Sequence, residues 1–427
     1  MANSQNTQFK FGVIGLGVTG KSVCKYLKSI GLKALVINSG KVENWAGPEL
    51  ENFTCISQED SNLSNYLDKT EAIILSPGIP RNAAFLQSFK GEIINDIELF
   101  FRMKKTNPII IGITGSNGKT TTVTLLDEII KAANKSVFCG GNIGLSPMEF
   151  LLNGEKEEIV LLELSSFQLE SVKNFQCDMA AVLNVTMTHE ERYKTENDYR
   201  QAKLNIFQHQ HQNGLYLIDH ATKKYCQNQN VFVFNEESSL QDLQKKFDFK
   251  SWMLPGKHNL LNLKVCVDIA EHLKIEKKVI QQVINSFKGV SDRIEFIGKV
   301  NEIPVYNDSK STNIYSTLTA IKAFDGKNVA VILGGQIRDR QNLNLTGLKE
   351  ISELASSLVL FGEVSTLKEL STSFRFEKLK NLDFSFLNSK TEIILFSPGF
   401  PSFDEFNNYH ERGDCFKKIF ASELVEK

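Results

Sequence analysis

The sequence predicts an α/β protein of three domains, each built on a mostly parallel sheet. Its 427 residues exceed the roughly 250 to 300 residues that a single core organises. Short apolar runs typical of β-strands alternate with helical stretches, as in a parallel sheet covered by helices. Because polar links interrupt this alternation twice, the predicted domains are residues 1–106, 107–291 and 292–427.

The first segment has apolar runs at residues 11–14, 34–37 and 72–75, each followed by glycine, asparagine or serine. Such punctuation is typical of strands that turn into loops. The segment closes where a helix end runs into a polar link that Pro108 stops. We therefore place the first domain boundary at this link.

The second segment has strand candidates at residues 109–111, 159–162 and 180–183, followed by helical stretches that end near Phe287. A third run starts after the link near Asp292. Its strand candidates are residues 305–306, 329–333, 357–361 and 393–396. Both segments repeat the alternation of the first, which predicts two further parallel sheets.

The composition restricts the partners and the compartment. A formal net charge of -1 and a pI near 6.7 argue against a nucleic-acid partner, because such partners select for a basic excess. The seven cysteines are scattered without a CxxC pair, which predicts reduced thiols. Residues 1–10 are polar, and no apolar run reaches the ~20 residues of a membrane span. We expect a cytoplasmic monomer without membrane insertion.

The clearest motif is the run at residues 109–122 (IIIGITGSNGKTTT), which reads as a buried strand, a glycine-rich loop and a helix start. Glycines let consecutive backbone N–H groups face a phosphate, and the helix N-terminus adds partial positive charge. Lys119 adds a full charge, and the Thr120 hydroxyl can ligate Mg²⁺. The usual spacing has a glycine where this chain has Ile113. The context of strand, loop and helix nevertheless predicts a triphosphate site.

A second glycine-rich loop, residues 15–20 (GLGVTG), satisfies the G-x-G-x-x-G pattern between a strand and a helix in a Rossmann-like first domain. An NAD-dependent oxidoreductase is therefore a rival interpretation. It expects an acidic residue at the end of the second strand, where this chain has Asn38 and Ser39. The same loop chemistry also suits the diphosphate of a UDP-sugar.

Residues 114–121 (TGSNGKTT) resemble the ATP loop of the Mur ligase family and of the folylpolyglutamate and cyanophycin synthetases. These enzymes form amide bonds through an acyl phosphate. The resemblance continues in order along almost the whole chain, through residues 163–168 (ELSSFQ), 256–262 (GKHNLLN), 306–313 (YNDSKSTN) and 397–413 (SPGFPSFDEFNNYHERG). It implies a P-loop ATPase-like central domain between two Rossmann-like domains.

The resemblance implies ATP and Mg²⁺ as cofactors. The nucleotide-binding residues that it implies are Gly115, Ser116, Asn117, Gly118, Lys119, Thr120, Thr121, Asn259, Asn262, Arg293 and Asp308. The metal ligands that it implies are Thr120, Glu163, His189 and, if carbamylated, Lys203. Of these residues, Lys119, Glu163, His189 and Lys203 would be catalytic. Thr188 stands where the family usually has an aspartate before the histidine.

The resemblance also implies where the two other substrates bind. The UDP-sugar residues are Gly15, Gly17, Thr19, Asn38, Ser76, Pro77, Gly78, Asn142, Ser165 and Gln168. The residues for D-glutamate are Lys310, Thr312, Arg338, Ser402 and Tyr409. A dicarboxylate needs cationic and hydroxyl donors, which this set supplies. Arg338 replaces the family's usual lysine, and Tyr409 its usual phenylalanine.

Together these residues imply a ligase that uses ATP to add D-glutamate to UDP-N-acetylmuramoyl-L-alanine in peptidoglycan precursor synthesis. The Asp-Asn-Pro-Arg run of the relative that adds diaminopimelate does not occur in this chain, which favours glutamate. Three alternatives remain open: another amino-acid ligase of the family, an NAD-dependent oxidoreductase, and a nucleotide sensor without catalysis.

Overall fold

A computed structural model describes residues 8–45, 47–186, 192–340, 343–372 and 374–425. Their strands form three sheets. By compactness the chain divides into two units, residues 1–243 with 262–280, and residues 244–261 with 281–427. The first unit holds two of the sheets and the second holds one. The finer three-domain boundaries predicted from the sequence stay a prediction.

The first sheet is parallel throughout, with the strand order β3-β2-β1-β4-β5. Its strands are β1 (Phe9–Ile14), β2 (Ala34–Asn38), β3 (Thr54–Ser57), β4 (Thr70–Leu75) and β5 (Glu92–Ile94). Its helices are α1 (Val18–Ser29), α2 (Leu63–Leu67) and α3 (Asp96–Met103). The chain turns from β3 to the opposite side of β1, so that β1 and β4 flank the point where the strand order reverses.

The second sheet is also parallel, with the order β11-β10-β9-β6-β8-β7. Its strands are β6 (Ile109–Thr114), β7 (Val137–Gly141), β8 (Ile159–Glu163), β9 (Cys177–Val182), β10 (Gln210–Asp219) and β11 (Phe232–Phe234). The helices of this part of the chain are α4 (Lys119–Ala132), α5 (Met148–Leu152), α6 (Ser166–Leu169), α7 (Glu196–Leu204), α8 (His220–Lys223), α9 (Glu236–Lys246), α10 (Lys257–His272) and α11 (Lys277–Ser286).

The third sheet has the order β12-β13-β17-β14-β15-β16 and is parallel except for the antiparallel pair of β12 and β13. Its strands are β12 (Glu295–Val300), β13 (Ile303–Asn307), β14 (Val329–Gly334), β15 (Ala355–Phe361), β16 (Phe374–Phe376) and β17 (Ile393–Gly399). Its helices are α12 (Ile314–Lys322), α13 (Leu345–Leu354) and α14 (Tyr409–Val425).

The central strands are continuous apolar runs because both faces of a parallel sheet are covered. Every residue of β8, β14 and β17 is buried. The strands predicted from these runs are confirmed, most of them with one to three more residues. The run predicted at 180–183 corresponds to β9, which begins three residues earlier and ends one residue earlier. Within the described residues, no helix combines the length and the apolar character that a membrane crossing requires.

In each of the three sheets, candidate site residues follow the carboxyl ends of neighbouring strands. In the first sheet these are the ends of β2, β1 and β4, in the second those of β9, β6 and β8, and in the third those of β13, β17 and β14. Ligands of open parallel sheets bind at this edge, outside the strand ends. Each sheet therefore presents one candidate binding edge.

Candidate active site

The loop between β6 and α4 has the geometry of a phosphate cradle. Gly115 and Gly118 have φ angles of 157° and 85°, a region that side chains rarely adopt. Gly118 is the N-cap of α4 and has no side chain of its own that could cap the N–H groups of the first helical turn. A Cβ atom at Gly118 would lie 2.6 Å from Oδ1 of Asn262. This loop conformation therefore favours glycine at position 118.

Two side chains at the start of α4 contact the loop and β8, which is a neighbour of β6 in the sheet. Nζ of Lys119 donates to the carbonyls of Gly115 at 2.8 Å and Ser116 at 3.0 Å. The Thr120 hydroxyl donates to Oε2 of Glu163 at 2.9 Å. A cation thus covers the glycine loop, and a hydroxyl and a carboxylate meet beside it. Thr121 follows in the same turn and is half-buried.

Two residues that the sequence analysis did not single out hold this loop in place. Asn184 bonds the backbone of Asn117 through both ends of its amide, at 2.9 and 3.0 Å. The Ser116 hydroxyl lies 3.1 Å from the Tyr199 hydroxyl and donates to the Thr186 carbonyl at 2.7 Å. Asn184 follows β9, the strand beside β6, so its place at a strand end was a signal that the sequence offered.

Lys203 lies at the same loop, on helix α7. Its side chain is almost fully buried, with 1% exposed, and Nζ donates to the Gly115 carbonyl at 2.9 Å. Burial lowers its pKa to about 7, and the positive charge of Lys119 acts in the same direction, while Glu163 opposes the shift. A lysine that is neutral near pH 7 is nucleophilic, so the environment is compatible with carbamylation, which stays a prediction.

The donor set at this loop fits a nucleoside triphosphate with Mg²⁺. The oxygens of Thr120 and Glu163 are hard ligands of the kind that Mg²⁺ prefers, and the uncapped N–H groups of α4 suit phosphate oxygens. The predicted ligand His189 and its neighbour Thr188 lie outside the described residues. In the described part of the chain, no three acidic, histidine or cysteine side chains gather into a metal cluster.

The glycine loop after β1 forms a second, uncharged cradle. Its N-cap residue, Gly17, has no atom of another residue near its Cβ position. Oδ1 of Asn38 accepts from the Leu16 N–H at 3.3 Å, and the Ser76 hydroxyl donates to the Gly15 carbonyl at 3.2 Å. The structure thus brings together predicted UDP-sugar residues from the ends of β1, β2 and β4. The remaining ones on these loops are Thr19, Pro77 and Gly78.

Three further residues predicted for the UDP-sugar lie beside the central sheet. The Asn142 amide donates to Oε1 of Glu163 at 2.9 Å, so it shares a carboxylate with Thr120. Ser165 and Gln168 form the capping box of α6, in which the hydroxyl and the backbone N–H of Ser165 both donate to the Gln168 carboxamide. Capping explains this pair by itself, and a substrate contact of either residue stays a prediction.

In the second unit, the predicted nucleotide residue Asp308 is almost fully buried and accepts hydrogen bonds from Ser311 at 2.6 Å and Ser397 at 2.8 Å. Burial raises its pKa to about 6, and these hydrogen bonds and the charge of Arg293 oppose the shift. Arg293 itself is exposed. Asn259, near the start of α10, donates to the Pro255 carbonyl at 2.7 Å.

The residues predicted for D-glutamate all belong to the second unit and follow adjacent strands of its sheet. Lys310 comes after β13, with Nζ lying 4.0 Å from the centre of the Tyr409 ring. Arg338 follows β14 and is exposed, and Ser402 follows β17 and is 2% exposed. Thr312 is half-buried in the loop after Lys310. This edge offers two cations, hydroxyls and an aromatic ring.

All seven cysteines are unpaired thiols in the structure, as predicted. Cys24, Cys177 and Cys266 are buried and the other four are partly buried. Burial raises the pKa of Cys24 to about 12. The Cys24 thiol is therefore protonated and unreactive at neutral pH.

Sequence profiles match two parts of the chain. The profile of the Mur ligase middle domain matches residues 113–270. The profile of the Mur ligase MurD-like N-terminal domain matches residues 9–97. The two matches contain the two glycine-rich loops described above.

Relatives extend the similarity over nearly the whole chain. The UDP-N-acetylmuramoylalanine–D-glutamate ligase of Francisella philomiragia is 31% identical over 96% of both chains. The protein of that name from Clostridioides difficile is 32% identical over 95% of this chain and 96% of the relative. The one from Shewanella oneidensis is 32% identical over 96% and 98%.

Solved structures show the same fold at lower identity. The MurF ligase of Thermotoga maritima in complex with ADP has a TM-score of 0.56 at 17% identity and covers all of this chain and 97% of its own. The UDP-N-acetylmuramate-alanine ligase MurC of the same organism has a TM-score of 0.53 at 18% identity, with coverage of 97% and 100%. With two matching domain profiles and full-length relatives above 30% identity, this chain belongs to the Mur ligase family.

Proposed function

We propose that this protein joins the amino group of D-glutamate to the carboxylate of UDP-N-acetylmuramoyl-L-alanine and converts ATP to ADP and phosphate in the process. This step builds the peptide of a peptidoglycan precursor. The observation that carries the proposal is the cradle of Gly118, Lys119 and the Thr120–Glu163 pair. D-glutamate as the amino acid is supported by the relatives, which all carry the name of a D-glutamate ligase and align over nearly their full length.

The reaction has two chemical steps. A carboxylate oxygen of the muramoyl substrate attacks the γ-phosphorus of ATP, and the bond to the β-phosphate oxygen breaks to release ADP. The uncharged amine of D-glutamate then attacks the acyl phosphate carbon, phosphate leaves, and the amine loses a proton to water. Both steps place negative charge near the glycine loop, which preorganised N–H groups and cations stabilise.

Lys119 binds the phosphates from the loop side, since its ammonium already lies over two loop carbonyls. The N–H groups of α4 provide donors that need no reorganisation. Mg²⁺ would be held by oxygens of Thr120 and Glu163, with His189 and, if carbamylated, Lys203, and would supply positive charge that offsets the repulsion between phosphate and carboxylate. Asn142, bonded to Glu163, orients that carboxylate and lies where the muramoyl group would arrive.

The other two substrates take the other two sheet edges. The glycine loop of residues 15–20, with Asn38 and Ser76, holds the diphosphate and uridine of the sugar nucleotide through backbone donors. Lys310 and Arg338 bind the carboxylates of D-glutamate, with hydroxyls from Thr312 and Ser402. Asn259, Asn262, Arg293 and Asp308 remain predicted nucleotide contacts. We place the protein in the cytoplasm, as a monomer, in line with its scattered unpaired cysteines.

An amino-acid panel tests the proposal. Purified protein is incubated with ATP, Mg²⁺ and UDP-N-acetylmuramoyl-L-alanine, and phosphate release is measured with single amino acids, D- and L-glutamate side by side. We expect release only with D-glutamate, and a product heavier by one glutamyl residue. Release with another amino acid would reassign the substrate, and absence of release with every amino acid would contradict a ligase. A nicotinamide absorbance change without ATP would favour the oxidoreductase alternative.

A further inference from the structure

Arg412, on helix α14, is the largest fully buried side chain among the described residues, with 0% exposed. Burial lowers its pKa to about 10, with nearby carboxylates opposing the shift, so it remains a cation at neutral pH. In the described part of the chain, no carboxylate lies within ion-pair distance of its guanidinium. A buried charge without such a partner is costly unless hydrogen bonds satisfy it.

The guanidinium donates to oxygens at the ends of three neighbouring strands. Its Nη2 donates to the Ser309 carbonyl at 2.8 Å and its Nε to the Ser309 hydroxyl at 3.1 Å, just after β13. Its Nη1 donates to the Phe400 carbonyl at 2.8 Å, just after β17, and more weakly to the Gly334 carbonyl at 3.4 Å, the last residue of β14. These strands are adjacent in the order β13-β17-β14.

The anchored residues are sequence neighbours of every residue proposed to bind D-glutamate. Lys310 and Thr312 follow Ser309, Arg338 comes four residues after Gly334, and Ser402 comes two after Phe400. Tyr409 starts the helix that carries Arg412, and the Ser309 hydroxyl donates to its carbonyl at 2.7 Å. One guanidinium is therefore bonded to each loop that carries these groups.

The loops after β14 and β17 pack closely against each other beside the guanidinium. A Cβ at Gly335 would lie 2.3 Å from the Pro401 carbonyl and 2.9 Å from Nη1 of Arg412, so the loops after β14 and β17 touch where the guanidinium joins them. With its donors directed to protein oxygens and no exposed surface, Arg412 does not reach the substrate itself.

We propose that Arg412 is a positioning residue for the incoming amino acid: it fixes the spacing of the loops that bind the amino acid's carboxylates. This inference rests on the proposed function, because it takes the binding residues from there. Displacements of about 1 Å in a binding constellation can cost two orders of magnitude in rate. Asp308 is held separately by Ser311, Ser397 and the Ile294 N–H, so the nucleotide contacts should be affected less.

Arg412→Lys tests the inference, because lysine keeps the charge but cannot span three strand ends. We expect the KM for D-glutamate to rise at least about ten-fold, while the KM values for ATP and for the UDP-sugar change less than about two-fold. Arg375→Lys is the matched control, since Arg375, on the outer strand β16, also donates to three backbone carbonyls, those of Leu370, Thr372 and Ser365 in the connection between β15 and β16.

A purely structural role for Arg412 predicts a different result, namely a lower unfolding temperature with all three KM values unchanged or raised together. That result, or the same selective rise in Arg375→Lys, would overturn the inference. If Arg412→Lys does not fold, Ser309→Ala replaces it, because it removes only the hydroxyl between Arg412 and the Tyr409 carbonyl. A selective KM rise of about three-fold is then expected, and no rise would overturn the inference.

The wild-type amino-acid panel separates the two hypotheses. If the wild-type protein uses an amino acid other than D-glutamate, the proposed substrate is wrong, and the KM comparison is made with the amino acid that it does use. If the wild-type protein uses D-glutamate and Arg412→Lys leaves its KM unchanged, the proposed function stands and the role of Arg412 is wrong.

Discussion

The two glycine-rich loops of the first unit share a sequence pattern but differ in where the following helix begins. Residues 17–22 (GVTGKS) and residues 115–120 (GSNGKT) both read Gly-x-x-Gly-Lys and a hydroxyl residue. Helix α1 begins directly after the first of these glycines, whereas α4 begins directly after the second. The equivalent lysine therefore lies inside a helix in one loop and at the helix start in the other.

The different helix starts give the two lysines and the hydroxyl residues after them different partners. Lys21 extends away from its loop to within 4.0 Å of Oε1 of Glu49, while Lys119 covers its own loop carbonyls. Ser22 donates to Glu149 on helix α5, while Thr120 donates to Glu163 at a strand end. Gly20 packs against Gly15, where a Cβ would lie 1.8 Å from the carbonyl oxygen. Backbone donors suffice to hold a diphosphate, but transfer of a phosphoryl group also needs the cation and the carboxylate.

The largest expected effect is that of Lys119→Ala, which removes the cation from the second loop. We expect kcat/KM for phosphate release to fall about 10³-fold, since a charged donor to the transferring phosphate is lost. The matched control is Lys21→Ala in the first loop, for which we expect near-normal turnover. Equal losses in the two variants would show that the comparison between the loops is wrong.

The next effect is that of Glu163→Gln, which keeps the shape and removes the charge beside Thr120. We expect kcat to fall about 10²-fold and the Mg²⁺ concentration for half-maximal rate to rise, because a metal ligand loses its charge. Titration of phosphate release with Mg²⁺ measures both quantities. Glu149→Gln, at the corresponding hydroxyl of the first loop, is the control. An unchanged Mg²⁺ dependence in Glu163→Gln would exclude Glu163 as a ligand.

The third prediction concerns the pH dependence of stability that the buried Lys203 causes. Lys203 lies at the second loop, and no equivalent lysine was described at the first loop. Its folded-state pKa of about 7 lies below the ordinary value of 10.5, so between these pH values the folded protein binds fewer protons than the unfolded chain. Stability contributed by this residue therefore increases as the pH rises above 7. From pH 7 to about pH 9, the free energy of unfolding should increase about 2 kcal/mol more in the wild type than in Lys203→Met.

Urea unfolding of both proteins at the two pH values, in buffer free of carbon dioxide, measures this difference. The buffer matters because carbamylation would replace the titrating amine with a permanent anion. Identical increases in the two proteins would mean that the unmodified lysine keeps its ordinary pKa.

The smallest effect is expected for Gly17→Ala in the first loop. Its φ of -69° and ψ of -170° are open to any residue, and no neighbouring atom meets the new Cβ, so folding should be unchanged. The methyl group would occupy the space into which a diphosphate must come, and we expect the KM for the UDP-sugar to rise about ten-fold. The KM for ATP is the internal control. If both values stay at the wild-type level, the diphosphate lies elsewhere.

Sequence reasoning found most of the inner strands and missed β10 and all six edge strands. Strands β6, β8 and β14 are apolar runs that burial on both faces demands, and their patterns are visible in the sequence. Strands β3, β11 and β16 lie at sheet edges, where half-exposed residues mix with apolar ones, so they lack such a pattern. The register that pairs them depends on the neighbouring strand.

The sequence by itself determined the α/β class, the two glycine loops, the family and most candidate residues, because these depend on local patterns of strand, loop and helix. Only the tertiary structure decided which lysine covers its own loop, that Asn142 meets Glu163, and that Arg412 joins three strand ends. Such contacts unite residues far apart in the chain, 103 positions for Arg412 and Ser309. Their energies come from burial and hydrogen bonding in the folded sheet, which no local pattern contains.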